Sequence, residues 1–211
     1  MRLIAGPNGS GKTTLTKLLR EEFAVPLGQY LNPDDIARHI SIPDECGNEL
    51  VSNDSAAVLA QKISIGLRED WLRDGLSFTY ESVMSHESHI RFIEHAIKQD
   101  YKPYLYYVCV SDVDLNKERV AQRVQEGGHD VPIEKIASRY ERSLVNLYEM
   151  LCVCRRGFLF DNSTSDMILI AEMTMDGFLD IKADAYEKTQ PYWFKDAVLS
   201  KWNAAKIRLI R

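Results

Sequence analysis

No run of apolar residues in this chain approaches the roughly 18 that a membrane-spanning helix requires, so the sequence predicts a protein without such a span. Positive charge is not in surplus either. The 26 Lys and Arg stand against 31 Asp and Glu, a net charge of −5, whereas a main partner made of nucleic acid demands a concentrated basic face. Nucleic acid is not the expected partner, although a local basic pocket stays open. Cysteine is scarce: of Cys46, Cys109, Cys152 and Cys154 only the last two are close, and Cys-Val-Cys has neither zinc-knuckle nor redox-pair spacing. Reduced thiols are expected, with Cys109 in a buried strand. There is no internal repeat, no low-complexity tract and no flexible linker, so 211 residues read as one domain, or one with a small appendage, long enough to bury a core. A secretory signal has no room, because a glycine-dense loop begins at Gly6 where its apolar stretch belongs; the expected location is the cytoplasm.

What is present is an alternation of short apolar runs and helical patterns. Strands are expected at 2–5, 29–31, 77–80, 104–110 and 157–160, and helices from near Lys12, Pro33, Ser55, His86, Asp112 and Pro132. The run from Tyr104 to Val110 is apolar or aromatic throughout, as in a strand covered on both faces, which belongs to a parallel α/β sheet. Ile133, Ile136, Tyr140, Leu144, Leu147 and Leu151 form one apolar helical stripe behind the start signal Asp130-Val131-Pro132. Strands at 167–173 and 177–181 and a helix at 191–202 complete the chain. The expected division is a core at 1–165, with a lid around 115–145, and a C-terminal extension at 166–211 packed on it. No chemistry is assigned to the tail after Asp184.

The stretch GPNGSGKTT, Gly6 to Thr14, fits G-x-x-x-x-G-K-[ST] with Gly6, Gly11, Lys12 and Thr13 in the fixed places, after a strand and before a helix. Glycines let the backbone curl so that consecutive N–H groups point inward, and the helix N-terminus adds its dipole, which makes a cradle for polyphosphate. The residues of that cradle are Asn8, Gly9, Ser10, Gly11, Lys12, Thr13 and Thr14. Lys12 is expected to reach the β- and γ-phosphates, and the Thr13 hydroxyl to ligate Mg²⁺.

Such a loop alone does not separate a kinase from a switch or a motor. The nearest approach to a guanine reader, Asn116-Lys117-Glu118-Arg119, ends in the wrong charge, which favours ATP. Arg119 and Arg123 share one helix face, and Arg139 and Arg142 share another, extended by Asn146 and turned away from the apolar stripe. With Gly127, Gly128, His129 and Asp130 between the helices, they read as a mobile flap that closes on a transferring phosphoryl group. The plainer alternative is solvated helix faces paired with Glu118, Glu126 and Glu141. Carboxylates at strand ends are candidates to deprotonate an acceptor hydroxyl: Asp34 or Asp35 after the second strand, and Glu81 at the end of the third. Asp35 serves equally as part of a helix start.

Together these residues resemble the zeta toxin family of small kinases. The resemblance runs through Gly6 to Thr14, Asn32-Pro-Asp-Asp-Ile-Ala37, Tyr80-Glu-Ser82, the stretch from Arg119 to Pro132, Arg139-Tyr140 and Phe160-Asp-Asn-Ser163. It implies a three-layer phosphate-loop kinase fold with a five-stranded parallel sheet and a helical lid, with ATP and Mg²⁺ as donor. It also implies Asp34 as general base, and Arg123 with Arg119 or Arg139 on the phosphates. The Asn162 loop would border the adenine, and an antitoxin-like protein is a candidate partner. The departure lies on the acceptor side. Family members that phosphorylate an amino-sugar nucleotide typically carry Gly-Thr-x-Arg after the strand-three glutamate, and here Glu81 is followed by Ser82-Val83-Met84-Ser85. Ser82, Ser85 and His86 are candidates for a different acceptor pocket, against helix capping by Ser85; His86 and His89 fit surface positions better than a zinc site. The expected function is an ATP-dependent kinase of a small hydroxyl-bearing molecule, a nucleotide sugar or another metabolite. An ATP-binding regulatory or toxin–antitoxin module with little phosphotransfer is the alternative, and a kinase of nucleic-acid ends a third reading.

Overall fold

The computed structural model describes residues 1–40, 53–126 and 131–211. Cys46 and the connection at 127–130 lie outside the described residues. The chain runs β1 (Arg2–Ala5), α1 (Lys12–Glu21), β2 (Gln29–Leu31), α2 (Pro33–His39), α3 (Asn53–Arg73), β3 (Phe78–Ser82), α4 (Ser88–Ile97), β4 (Tyr104–Cys109), α5 (Val113–Gln125), α6 (Ile133–Val153) and β5 (Arg156–Asp161). β6 (Ile168–Met173), β7 (Leu179–Lys182), α7 (Ala183–Thr189), α8 (Tyr192–Ala197) and β8 (Ile207–Ile210) follow. The eight strands of the described residues form one sheet in the order β2-β3-β1-β4-β5-β6-β7-β8.

The first five strands are mutually parallel, as expected. Their side chains alternate between two cores: Leu3, Ala5, Leu105, Tyr107 and Cys109 enter one, and Ile4, Tyr106 and Val108 enter the other. That is why the run through β4 shows no polar alternation, since each face has its own helical cover. α1 covers the smaller core through Leu15 and Leu19, while α4, α6 and α8 cover the larger one. Cys109 and Cys154 are buried free thiols, pushed up to about 12 by desolvation.

The sheet does not stop at five strands. β6 pairs antiparallel with β5, β7 antiparallel with β6, and β8 parallel with β7. The last strand and α7 escape the sequence reading because each is short and its pattern takes meaning only from its neighbour: Ile207 pairs with Leu179, and Arg208 forks onto Asp180 at 2.6 and 2.8 Å. The helix expected at 191–202 is broken. α8 ends at Ala197, where fully buried Val198 leaves helical geometry, and a separate 3-10 turn follows at Leu199–Lys201. No helix among the described residues is long and apolar enough to cross a membrane.

The stripe on α6 starts later than its pattern predicts. Ile133 is 64% exposed, whereas Ile136, Leu147 and Leu151 are buried. Beyond that first turn the helix is fastened: the Tyr140 hydroxyl donates to Val110 O at 2.8 Å, and Ser143 bonds the Tyr107 hydroxyl at 3.0 Å. The arginine-bearing helix is therefore bonded to the sheet from Tyr140 onward.

Candidate active site

Parallel register brings the C-terminal ends of β1, β2 and β3 to one edge, with Ala5 opposite Ser82 and Leu31 opposite Tyr80. Ligands of open parallel sheets gather beyond such ends. The glycine loop leaves β1 there, α2 starts there, and Glu81 closes β3 there.

Within the loop, four carbonyls are engaged by side-chain donors. Lys12 Nζ donates to Gly6 O and Pro7 O at 3.0 and 3.1 Å. Asn116 of α5 donates its amide to Asn8 O, and Asn162 donates to Ser10 O at 2.9 Å. With those oxygens engaged, the first-turn N–H groups of α1, which have no intrahelical acceptors, are the donors left for an anion. Glycine is required at two points in particular. At Gly9, φ +75°, a Cβ would lie 2.5 Å from Asn116 O, and at Gly11, φ +100°, it would lie 2.3 Å from Asn162 Nδ2. Among the described residues, Asn8 Oδ1, Ser10 Oγ, Asn116 Oδ1 and Arg119 Nη1 are buried without hydrogen-bond partners. Each such group costs about 1–3 kcal/mol, and these four, two on the loop and two on the α5 turns bonded to it or to the Asn162 turn, fit a surface made to receive a polar ligand. Thr13 and Thr14 expose their side chains. Among the described residues no cluster of three His, Cys, Asp or Glu could hold a metal. An exposed hydroxyl at the start of α1, that of Thr13, instead fits Mg²⁺, which is carried largely by phosphate oxygens and water.

Lys12 gathers the charged residues of the cleft. Desolvation lowers its pKa, Glu81 and then Asp34 oppose the shift, and Arg123 and Arg139 add to it. Asp34 is placed by the α2 start: Asn32 Oδ1 accepts from the Asp34 N–H at 2.9 Å, and Pro33 occupies the first turn. Its carboxylate lies 3.7 Å from Arg123 Nη1, with side-chain exposures of 43% and 35%. A pair that open is worth at most about 1 kcal/mol, so it can be parted by a substrate. Asp35 points elsewhere, pairing with Arg38 on the exposed face at 3.4 Å, which is the helix-start alternative.

Glu81 is 4% exposed. Thr16 donates to its Oε1 at 2.6 Å, and the Tyr30 hydroxyl donates to the same oxygen. Burial first, and then the Glu81 charge, raise the Tyr30 pKa. Arg119 donates to Asn162 O at 3.0 Å, tying α5 to the β5 turn. Arg139 is half-buried, whereas Arg142 is exposed and bonds Ser138 O of its own helix. Thus Asp34, Glu81, Arg123 and Arg139 all lie within electrostatic reach of Lys12, whereas Arg142 is turned onto its own helix.

The acceptor-side residues differ from their sequence reading. Ser82 Oγ accepts from Met84 N at 2.9 Å and bonds His89 Nε2 at 2.8 Å, so its hydroxyl is spent on the loop itself. Met84 is fully buried at φ +56°, and its carbonyl accepts from Asn146 at 3.0 Å. The predicted start at His86 moves to Ser88 with Glu87 as N-cap, which removes Ser85 as a cap and leaves it half-buried in the preceding loop. His86 is exposed, whereas His89 is half-buried: it stacks on Tyr80 and lies 3.5 Å from Arg68. Desolvation, then the Arg68 charge, lower its pKa from 6.5 to about 3. The unfolded chain therefore takes up this proton first, so the neutral ring's contribution to stability is full above about pH 6.5 and is lost as pH falls towards about 3. Wild-type Tm should drop across that interval more steeply than that of His89→Gln; superimposable curves would refute the assignment.

Asn116, Thr16 and Tyr30 are the residues that motif reading missed. Asn116 carried a local signal, since it shares a helix face with Val120 and Arg123 at spacings of four and seven. For Thr16 the only cue was its place four residues after Lys12.

The sequence profile of the zeta toxin family matches residues 1–157, about three quarters of the chain, and the protein belongs to that family. An uncharacterized protein of Haemophilus influenzae (strain Rd KW20) is 27% identical over 135 residues, covering 64% of this chain and 88% of that one. The AvrRxo1-ORF1:-ORF2 complex crystallised with ATP aligns at TM-score 0.67 and 19% identity, covering 89% of this chain and 62% of that one. A structure of the PezAT chromosomal toxin–antitoxin system of Streptococcus pneumoniae aligns at 0.57 and 13%, with coverages of 98% and 81%. At these identities the structural likenesses establish a shared fold alone, and the chain spans about three fifths of the AvrRxo1 chain it matches.

Proposed function

We propose that this zeta toxin family member is an ATP-dependent kinase that transfers the γ-phosphoryl group to a hydroxyl of a small molecule. The observation that carries the reading is the convergence on Lys12: a desolvated cation at the glycine loop, within electrostatic reach of Asp34 and Arg123, which themselves lie 3.7 Å apart. A passive nucleotide binder needs no carboxylate facing its phosphates.

In this reading Gly9 to Thr14 hold the triphosphate, with Lys12 against its β- and γ-oxygens. Mg²⁺, when bound, neutralises developing charge on the phosphates, and Thr13 is the residue to hold it. Asp34 orients the acceptor hydroxyl and takes its proton. Arg123 leaves Asp34 for the transferring group, Arg119 and Arg139 close from the two lid helices, and together they exclude water. Asn162 braces the loop beside the base. Glu81, held by Thr16 and Tyr30, borders the acceptor with Ser85, and Ser82 shapes that wall through its hydrogen bonds.

The acceptor wall carries no arginine directly after Glu81, which separates this chain from members that grip an amino-sugar nucleotide there. The PezAT likeness supports an antitoxin-like protein partner, and a cytoplasmic setting suits ATP as donor. ADP release with and without a metabolite extract tests the proposal. Acceptor-dependent release at least about tenfold above the basal hydrolysis rate is expected, because closure suppresses water as acceptor; release indifferent to the extract overturns it.

A further inference from the structure

The residues beyond the family match reach the nucleotide loop. Asp161, the last residue of β5, is 1% exposed and is surrounded by donors. Its Oδ2 accepts from Trp193 Nε1 at 2.8 Å and from Ser163 Oγ at 3.0 Å, and its Oδ1 accepts from Ser163 N at 3.0 Å. The turn held in this way contains Asn162. From that turn the Asn162 amide donates to Ser10 O, and its carbonyl accepts from Arg119. Ser163 Oγ also accepts from Ser111 N at 2.9 Å, so the turn is stitched to β4's exit as well.

Trp193 sits on α8, outside residues 1–157, and is 3% exposed. Packing against Tyr107 and Phe194 explains its ring. It does not explain the indole N–H, which a buried tryptophan must satisfy and which here meets a carboxylate, a stronger bond than a neutral acceptor offers.

We infer that Trp193 is a positioning residue for nucleotide binding. Through Asp161 it sets the Asn162–Ser163 turn, and through that turn it sets the Ser10 carbonyl and the Arg119 guanidinium. The inference rests on the ATP reading above. A carboxylate relieved of one donor rotates toward the others, and Asn162, its covalent neighbour, passes the shift to a loop whose anion-facing N–H groups tolerate little displacement.

The test is the Kd of a fluorescent ATP analogue, measured with Tm, for wild type, Trp193→Phe, Ser163→Ala and the double variant. Trp202→Phe, on the Tyr148 contact away from the loop, is the packing control. Trp193→Phe keeps the aromatic packing, and Ser163→Ala breaks the same chain at a half-buried turn. Each single variant should weaken binding about 3- to 10-fold, the range expected for loss of one charge-assisted bond felt indirectly. The double variant should lose no more than the worse single, because both act through Asp161, while Trp202→Phe should lower Tm and keep Kd. Wild-type affinity in Trp193→Phe, or losses that simply multiply in the double variant, overturns the inference. If Trp193→Phe does not fold, Ser163→Ala decides: an unchanged Kd refutes it. No binding by the wild type would instead overturn the nucleotide reading itself.

Discussion

Lys12→Ala should lower phosphoryl transfer by about a thousandfold or more, the scale on which single charge-stabilising groups act in this chemistry. The reason is geometric as well as electrostatic. Lys12 is the cation at the loop's mouth, bonded to Gly6 O and Pro7 O and facing Glu81 and Asp34. Its position leaves its ammonium poorly hydrated, and that is why its pKa is lowered despite two carboxylates nearby. A group held in such a setting costs stability, so the alanine variant should keep or raise Tm while losing turnover. Stability gained where activity is lost is the signature of a functional rather than a structural lysine. The check is Tm alongside single-turnover transfer; a variant that unfolds at lower temperature yet still transfers phosphate would contradict it.

Asp34→Asn should separate binding from chemistry. The cap that starts α2 uses the backbone N–H of Asp34, not its carboxylate, so the helix survives the change. The pair with Arg123 is long and open, and its loss costs at most about 1 kcal/mol. ATP affinity should therefore stay within about twofold of wild type, while kcat falls about 10²- to 10⁴-fold, the usual worth of a general base. Isothermal titration with ATP, paired with transfer kinetics, reads both quantities. A joint loss of affinity and rate would make Asp34 a binding residue, not the base.

The part of this site that is contiguous in the chain was legible without coordinates. Gly6 to Thr14 lie side by side, and their residue types are those of an anion cradle; Asp34 is picked out by a strand end with a proline helix start. The parallel core was legible too, because β4 lacks polar alternation only when both faces are covered. What escaped depends on pairings between distant positions. Asn116 acts on Asn8, Asn162 on Ser10 and Trp193 on Asp161, and no local pattern announces a side-chain amide that will meet a loop carbonyl across the fold. What the structure adds at Ser82 escaped for the opposite reason. Ser82 looked free for a ligand, whereas the buried Met84 with its left-handed backbone needs that hydroxyl to hold the turn. The seating of α6 was legible only in part: the stripe showed that the helix packs, but not that Tyr140 and Ser143 fasten it to β4 and its exit.

The most direct test is mass spectrometry of a metabolite pool incubated with ATP and wild-type protein, Lys12→Ala or Asp34→Asn. The wild type should add the mass of one phosphoryl group to a discrete hydroxyl-bearing species, and neither variant should. The same product formed by Asp34→Asn, or no product from any pool with the wild type, would contradict a kinase built on these two residues.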